Sequence, residues 1–128
     1  MKIENDGKID EEPGCVGEQH DMADEKPVPA AENTCLRAAS IFRALGDLNR
    51  LRLLSILAKR EMCVTELTEV LHDNLPAISQ RLKLLRSERI VTTRRQGKHI
   101  FYRLADSHIA HLIANGLAHG EEPDECLD

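Results

Sequence analysis

Asp106, His108, His119 and Glu122 are the side chains whose types and spacing in this sequence suit metal chemistry. Two imidazoles and two carboxylates form a tetrahedral donor set that fits Zn(II), with Cd(II) or Co(II) as substitutes. His119 lies eleven residues beyond His108, so on one helix the two are roughly 16 Å apart at 1.5 Å per residue. Metal–ligand bonds are about 2 Å long, so a single helix cannot close the site. Eleven residues make almost three turns, which puts both histidines on one side. An antiparallel copy of the helix crossing near Ile113 and Ala114 sets Asp106 and His108 of one chain beside His119 and Glu122 of the other, and twofold symmetry makes two equal sites. Gly120 is read as a helix stop and Pro123 turns Glu122 toward extended backbone, leaving Glu121 or a water as alternatives for the fourth ligand. His111, near the His108 face, is a competing ligand or a plain interface histidine.

A second donor chemistry comes from thiols. Cys15, Cys35, Cys63 and Cys126 are better read as thiols or metal ligands than as disulfides in a reducing compartment. Cys15, with His20 and Asp21 nearby, could join Cys35 and Cys63 in a thiolate site for Cd(II), Pb(II), Cu(I) or Ag(I). Cys63 alone is equally well a small buried hydrophobe, and Cys126 is a tail residue.

The elements that position these groups follow from charge and periodicity. The formal net charge is −5 over 128 residues, but it is unevenly distributed. Residues 1–32 carry ten acids and three lysines, and residues 121–128 carry five acids and no base; residues 33–120 hold 14 Lys+Arg against seven Asp+Glu, net +7. Two copies present +14, a field suited to phosphate backbones. Three segments result: a mobile acidic tail at 1–32, a folded domain at 33–122 and an acidic tail at 123–128. With one Tyr, two Phe and no Trp, the core must be aliphatic and mostly helical. No stretch of 18 uncharged apolar residues and no signal-peptide pattern is present, which implies a cytoplasmic protein without a membrane partner.

From about Thr34, Leu36, Ile41, Phe42 and Leu45 recur at helical spacing up to Gly46. Asp47 caps a second, strongly apolar helix that ends before Lys59. Cys63-Val64 reads as a very short strand and Thr65 as the cap of a two-turn helix. After the turn His72-Asp73-Asn74, Asn74 caps a helix over about 75–88 with Pro76 in its first turn. Ile90 to Arg95 and His99 to Leu104 form a β-hairpin with Gln96-Gly97-Lys98 at its tip. The last helix runs from its cap Asp106 to Gly120. The fold class is therefore mainly α with a small β-hairpin, a winged helix-turn-helix acting as a homodimer.

The second helix of that pair exposes Ser79, Gln80, Arg81, Lys83 and Arg86, and the hairpin supplies Arg94, Arg95, Lys98 and His99. Short polar groups near a helix N-terminus reach base edges and cations grip phosphates, so double-stranded operator DNA is the expected partner.

The runs Phe42-Arg43-Ala44-Leu45-Gly46-Asp47-Leu48-Asn49-Arg50-Leu51-Arg52, Glu61-Met62-Cys63-Val64-Thr65-Glu66-Leu67, Ile78 to Arg86 and Arg95 to Leu104 resemble the ArsR/SmtB family of metal-sensing repressors over roughly residues 36–122. The resemblance implies a homodimer that binds an inverted-repeat operator when metal-free and is released by metal, controlling efflux or metallothionein genes. Asp-x-His followed by His-x-x-Glu is similar to the zinc-sensing members at all four positions, which implies Zn(II) as effector. In such relatives the second ring nitrogen of the histidine matching His119 bonds a carbonyl at the end of the reading helix, here near Arg89. Thiol-sensing relatives carry Cys-Val-Cys where this chain has Cys63-Val64-Thr65, so an arsenite-type reading lacks its second thiol. The alternative function is the same fold sensing Cu(I), Ag(I), Cd(II), Pb(II) or As(III), or redox state, through Cys15, Cys35 and Cys63. A zinc hydrolase fits poorly, because four protein ligands leave no open position for water; a plain protein-interaction module is the remaining option.

Overall fold

The computed structural model describes residues 25–124, so Cys15 and Cys126 lie outside the described residues. The chain divides into Met1–Ala31 and Glu32–Asp128. Of the first unit, residues 25–31 form neither helix nor strand. The second runs α1 (Glu32–Leu45), α2 (Leu48–Leu57), β1 (Met62–Cys63), α3 (Val64–Leu71), α4 (Leu75–Ser87), β2 (Val91–Gln96), β3 (His99–Leu104) and α5 (Ser107–Glu121).

Three of the helices start where short polar side chains can accept an orphan N–H. Asp47 accepts from Arg50 N–H at 3.0 Å, Asn74 from Ala77 N–H at 2.9 Å, and Asp106 from Ile109 N–H at 3.0 Å. Arg50 works in both directions, because its guanidinium Nε also donates to the Ala44 carbonyl at 2.8 Å and so closes the end of α1. The start of α3 differs from the sequence expectation. Val64 is helical and Cys63, not Thr65, is the cap residue. The cause is Glu66, whose carboxylate reaches back from inside the helix to accept the Cys63 N–H at 3.1 Å.

The strand expected at Cys63-Val64 is Met62–Cys63, and it joins the hairpin. The sheet order is β1-β3-β2, with Met62 opposite Tyr102, Cys63 opposite Phe101, and Val91 to Gln96 paired with Leu104 to His99. At the hairpin tip Gly97 has φ +64, a conformation that costs glycine nothing. The second correction concerns Gly120. It continues the helix; α5 extends to Glu121, and the chain turns extended at Glu122 (φ −69, ψ 143), immediately before Pro123. A glycine inside a helix costs only about 1 kcal/mol, whereas the proline ring excludes helical backbone from the residue before it.

The core is aliphatic. Leu53, Leu54, Leu67, Ile78, Leu82, Leu85, Ile90 and Ile113 are essentially removed from solvent, so α2, α3, α4, the start of β2 and α5 share one apolar block. α4 closes with Arg89 in the left-handed region (φ 61), its N–H on the Arg86 carbonyl at 3.0 Å and the Ile90 N–H on the Leu85 carbonyl at 2.9 Å. Ala105 N–H then donates to the Ile90 carbonyl at 2.9 Å, tying the start of α5 to the residue just beyond α4.

His72 ends α3 with φ 54 and ψ 46. For a residue with a Cβ that region costs about 1–2 kcal/mol, part of which glycine returns in chain entropy. His72→Gly is therefore expected to stabilise the fold by about 0.5–1 kcal/mol and His72→Val to destabilise it. Urea unfolding midpoints at constant slope measure both.

Candidate metal and nucleic-acid sites

α5 is anchored through Ile109 and Ile113 and leaves its opposite side open: Ser107, His108, His111, Leu112, Ala114, Asn115 and His119 are exposed. His108, Leu112, Asn115 and His119 recur at helical spacing and form one outward stripe. The four residues proposed from the sequence fall into two pairs, one at each end of the helix. His119 Nδ1 stands 3.3 Å from Glu122 Oε1, and His108 Nδ1 stands 3.9 Å from Asp106 Oδ1. All four side chains are open to solvent, His108 and His119 almost fully, at 91% and 85%. The turn at Glu122 thus brings its carboxylate back to His119, and Asp106 keeps acceptor capacity beyond the Oδ1 contact that caps the helix. His111 is exposed in the same helix, and Glu121 ends it.

Among the described residues, no three His, Cys, Asp or Glu side chains of one chain gather around a point. Each end of α5 holds one histidine–carboxylate pair. Such donors suit a borderline divalent ion, and the two histidines are roughly 16 Å apart along the helix. Large apolar side chains stay open on both helices: Leu36 (60%) and Phe42 (56%) on α1 and Leu112 (37%) on α5. A hollow lined in part by Leu36, Ile41, Asp106, His108, Ile109 and Leu112 opens between α1, the end of α4 and α5. Across it Ser40 Oγ donates to Glu88 Oε1 at 2.9 Å, linking α1 to the C-cap of α4.

Of the proposed thiol set, Cys35 is exposed on α1 and Cys63 is half-buried at the α3 cap. Cys63 borders a separate hollow with Thr65, Glu66, Glu69, His99 and Phe101.

The nucleic-acid candidates are not equivalent. Ser79, Gln80, Lys83 and Arg86 are exposed on α4, and Arg95, Lys98 and His99 are exposed on the hairpin. Arg81 is committed to Asp73 at 2.8 Å, across the turn between α3 and α4. That hydrogen bond, with a second from the Asn74 N–H, holds the Asp73 carboxyl below its ordinary pKa. Arg94 is committed to Glu61 through Nε and Nη2, at 2.7–2.9 Å, and its guanidinium lies 4.8 Å from the Phe101 ring centre. These two arginines brace the turn and the hairpin from within the chain.

Three residues that the sequence reading left out also border this candidate face. Ser87 and Tyr102 line a hollow between α4 and the sheet with Ser79, Lys83 and Arg86. Arg103 borders another with Arg86 and Arg89. The phenol of Tyr102 is apolar at the ring and polar at the tip, which suits such a rim.

Known proteins are similar to this chain in sequence and fold. Residues 47–93 match the family described as bacterial regulatory protein, arsR family. A transcriptional repressor SmtB homolog of Synechocystis sp. is 42% identical over 86 residues, which is 67% of this chain and 65% of that protein. The HTH-type transcriptional regulator KmtR of Mycobacterium tuberculosis is 39% identical over 77% of this chain and 76% of its own length. Among solved structures, the homodimeric winged helix-turn-helix DNA-binding domain of a possible ArsR-family regulator from Mycobacterium bovis superimposes with TM-score 0.66. That match has 28% identity and covers 81% of this chain and 94% of that one.

The brace at Arg94 has a titration signature. Its hydrogen bonds lower the Glu61 pKa from the ordinary 4.5. A depressed carboxylate stabilises the fold above its unfolded value, and that contribution is lost as pH falls through the lower folded value. Carbon-detected NMR titration should place the Glu61 midpoint below 4.5 in the native chain and move it upward in Arg94→Gln.

Proposed function

The chain belongs to the arsR family of bacterial regulatory proteins, and from that premise we propose that it is a metal-responsive transcriptional repressor. As a cytoplasmic homodimer it binds an inverted-repeat operator when metal-free and is released by Zn(II), controlling metal efflux or metallothionein genes. Family and fold are those of DNA-binding regulators rather than enzymes.

The observation that carries the reading is the split donor set of α5, with Asp106 and His108 at its start and His119 and Glu122 at its end. Two such helices side by side and antiparallel complete two sites, and the open apolar side chains of α1 and α5 supply the surface for that pairing. When bound, the metal supplies a Lewis-acid centre that holds two imidazoles and two carboxylates together.

The chain's own contacts carry the consequence toward the DNA face. Asp106 follows Ala105, whose N–H is fastened to the Ile90 carbonyl. Ile90 is two residues beyond the α4 C-cap Glu88, and Glu88 is held to α1 by Ser40. A shift at the start of α5 or in α1 therefore reaches the end of the reading helix through two hydrogen bonds. His119, with Nδ1 toward Glu122, keeps Nε2 for a backbone carbonyl at the end of the reading helix of the second copy, a third link, made across the dimer. Because the binding of metal and of DNA are linked in one dimer, each must weaken the other by the same factor.

Two measurements test this. In the wild type, zinc should weaken operator binding by a factor in the range of roughly 5–150. His119→Gln should bind the operator normally without metal and lose that response. An unchanged zinc response in His119→Gln would overturn the α5 site and favour input through Cys15, Cys35 and Cys63. Separately, Lys83→Ala should weaken binding to all duplexes alike and reduce the slope of log affinity against log salt by about one per copy.

A further inference from the structure

Leu75 stands at the first position of α4 with 54% of its surface open. It is absent from the apolar residues packed against the core, although Ile78, Leu82 and Leu85 of the same helix are buried. At 100° per residue, Leu75 shares a stripe with Ser79, Lys83 and Arg86, all within about 80° of one another. The last three line the hollow facing Tyr102. A large, open aliphatic side chain therefore stands where the buried Leu82 side of the helix meets a stripe that is polar and basic.

Three polar groups at or near this first turn are engaged or missing. Asn74 Oδ1 accepts the Ala77 N–H at 2.9 Å. Pro76 has no N–H to offer. Arg81 is held by Asp73 at 2.8 Å. Nor does the helix itself call for leucine there: a carboxylate would complement the helix dipole better, and the first turn contains none.

In duplex DNA the N-terminal residues of a reading helix meet base edges in the major groove. The one apolar feature there is the C5 methyl group of thymine. We propose that Leu75 is a specificity-determining residue that seats a thymine methyl in each half-site. The proposal rests on the DNA-binding reading above and adds to it what the first turn recognises. Removing one methyl group from water against an aliphatic side chain is worth about fourfold in affinity per half-site, or roughly fifteenfold over a symmetric pair. Ser79 and Gln80, one turn further on and exposed, then face the polar edges of the adjoining bases.

The test uses the full chain as its dimer and a duplex that the wild type has selected from a random pool. Each thymine is replaced, symmetrically in both half-sites, by deoxyuridine, which removes only the C5 methyl. One symmetric pair should weaken wild-type binding by roughly fifteenfold. Leu75→Ala should bind the thymine and uracil duplexes equally at that pair, and Leu75→Val, which keeps a branched aliphatic group, should retain part of the discrimination. Circular dichroism and dimer mass on both variants separate a lost contact from a lost fold. The proposal is overturned if no thymine pair is sensitive, or if the sensitivity persists undiminished in both variants. If the wild type selects no duplex, the DNA-binding reading itself fails and takes this assignment with it. A selected duplex with no sensitive thymine leaves that reading standing and removes only the role of Leu75.

Discussion

An α-helix keeps its ends apart. On α5 that rigidity places His108 roughly 16 Å from His119, each with a carboxylate beside it, Asp106 at 3.9 Å and Glu122 at 3.3 Å. Neither pair is a complete tetrahedral set, and the helix cannot bend the two together. In the proposed function a second copy completes each site, so the oligomeric state belongs to the binding chemistry. Ile109 and Ile113 fix one side of α5 to the aliphatic core, which leaves the side that carries His108 and His119 facing outward.

The same core makes a change at α5 felt at a distance. Ile113 shares one apolar cluster with Ile78, Leu82 and Leu85 of α4, and close-packed aliphatic interiors yield little. The backbone bond from Ala105 to Ile90 and the side-chain bond from Ser40 to Glu88 both converge on the end of α4. Ion pairs brace the front of the molecule: Arg81–Asp73 spans the turn before α4, and Arg94–Glu61 holds the hairpin against the start of β1. Exposed cations remain for an incoming polyanion, among them Lys83 and Arg86 on α4, Arg89 just beyond it, and Arg95, Lys98 and Arg103 on the hairpin.

Much of this was legible in the sequence, for local reasons. Asp47, Asn74 and Asp106 cap helices with their own side chains, so their positions alone announce the helix starts. The histidine spacing on α5 follows from helical rise alone. Features that depend on distant partners were not readable. Thr65 looked like a cap, yet Glu66 does that work through the Cys63 backbone. Gly120 looked like a stop, yet the effective breaker is Pro123, acting on Glu122. β1 has a partner only because the chain returns forty residues later to set Tyr102 opposite Met62. Arg81 and Arg94 looked like free DNA cations because Asp73 and Glu61 approach them only in the fold.

The most direct test of the shared site mixes two defective chains. One carries Asp106→Ala and His108→Ala; the other carries His119→Ala and Glu122→Ala. Each homodimer lacks half of every site, whereas a mixed dimer has one site whose four ligands are all intact. Calorimetric titration of each homodimer should show no tight zinc site, and random mixing should restore about a quarter of the wild-type number. Tight binding by either homodimer, or none in the mixture, would contradict a site built between two copies of α5.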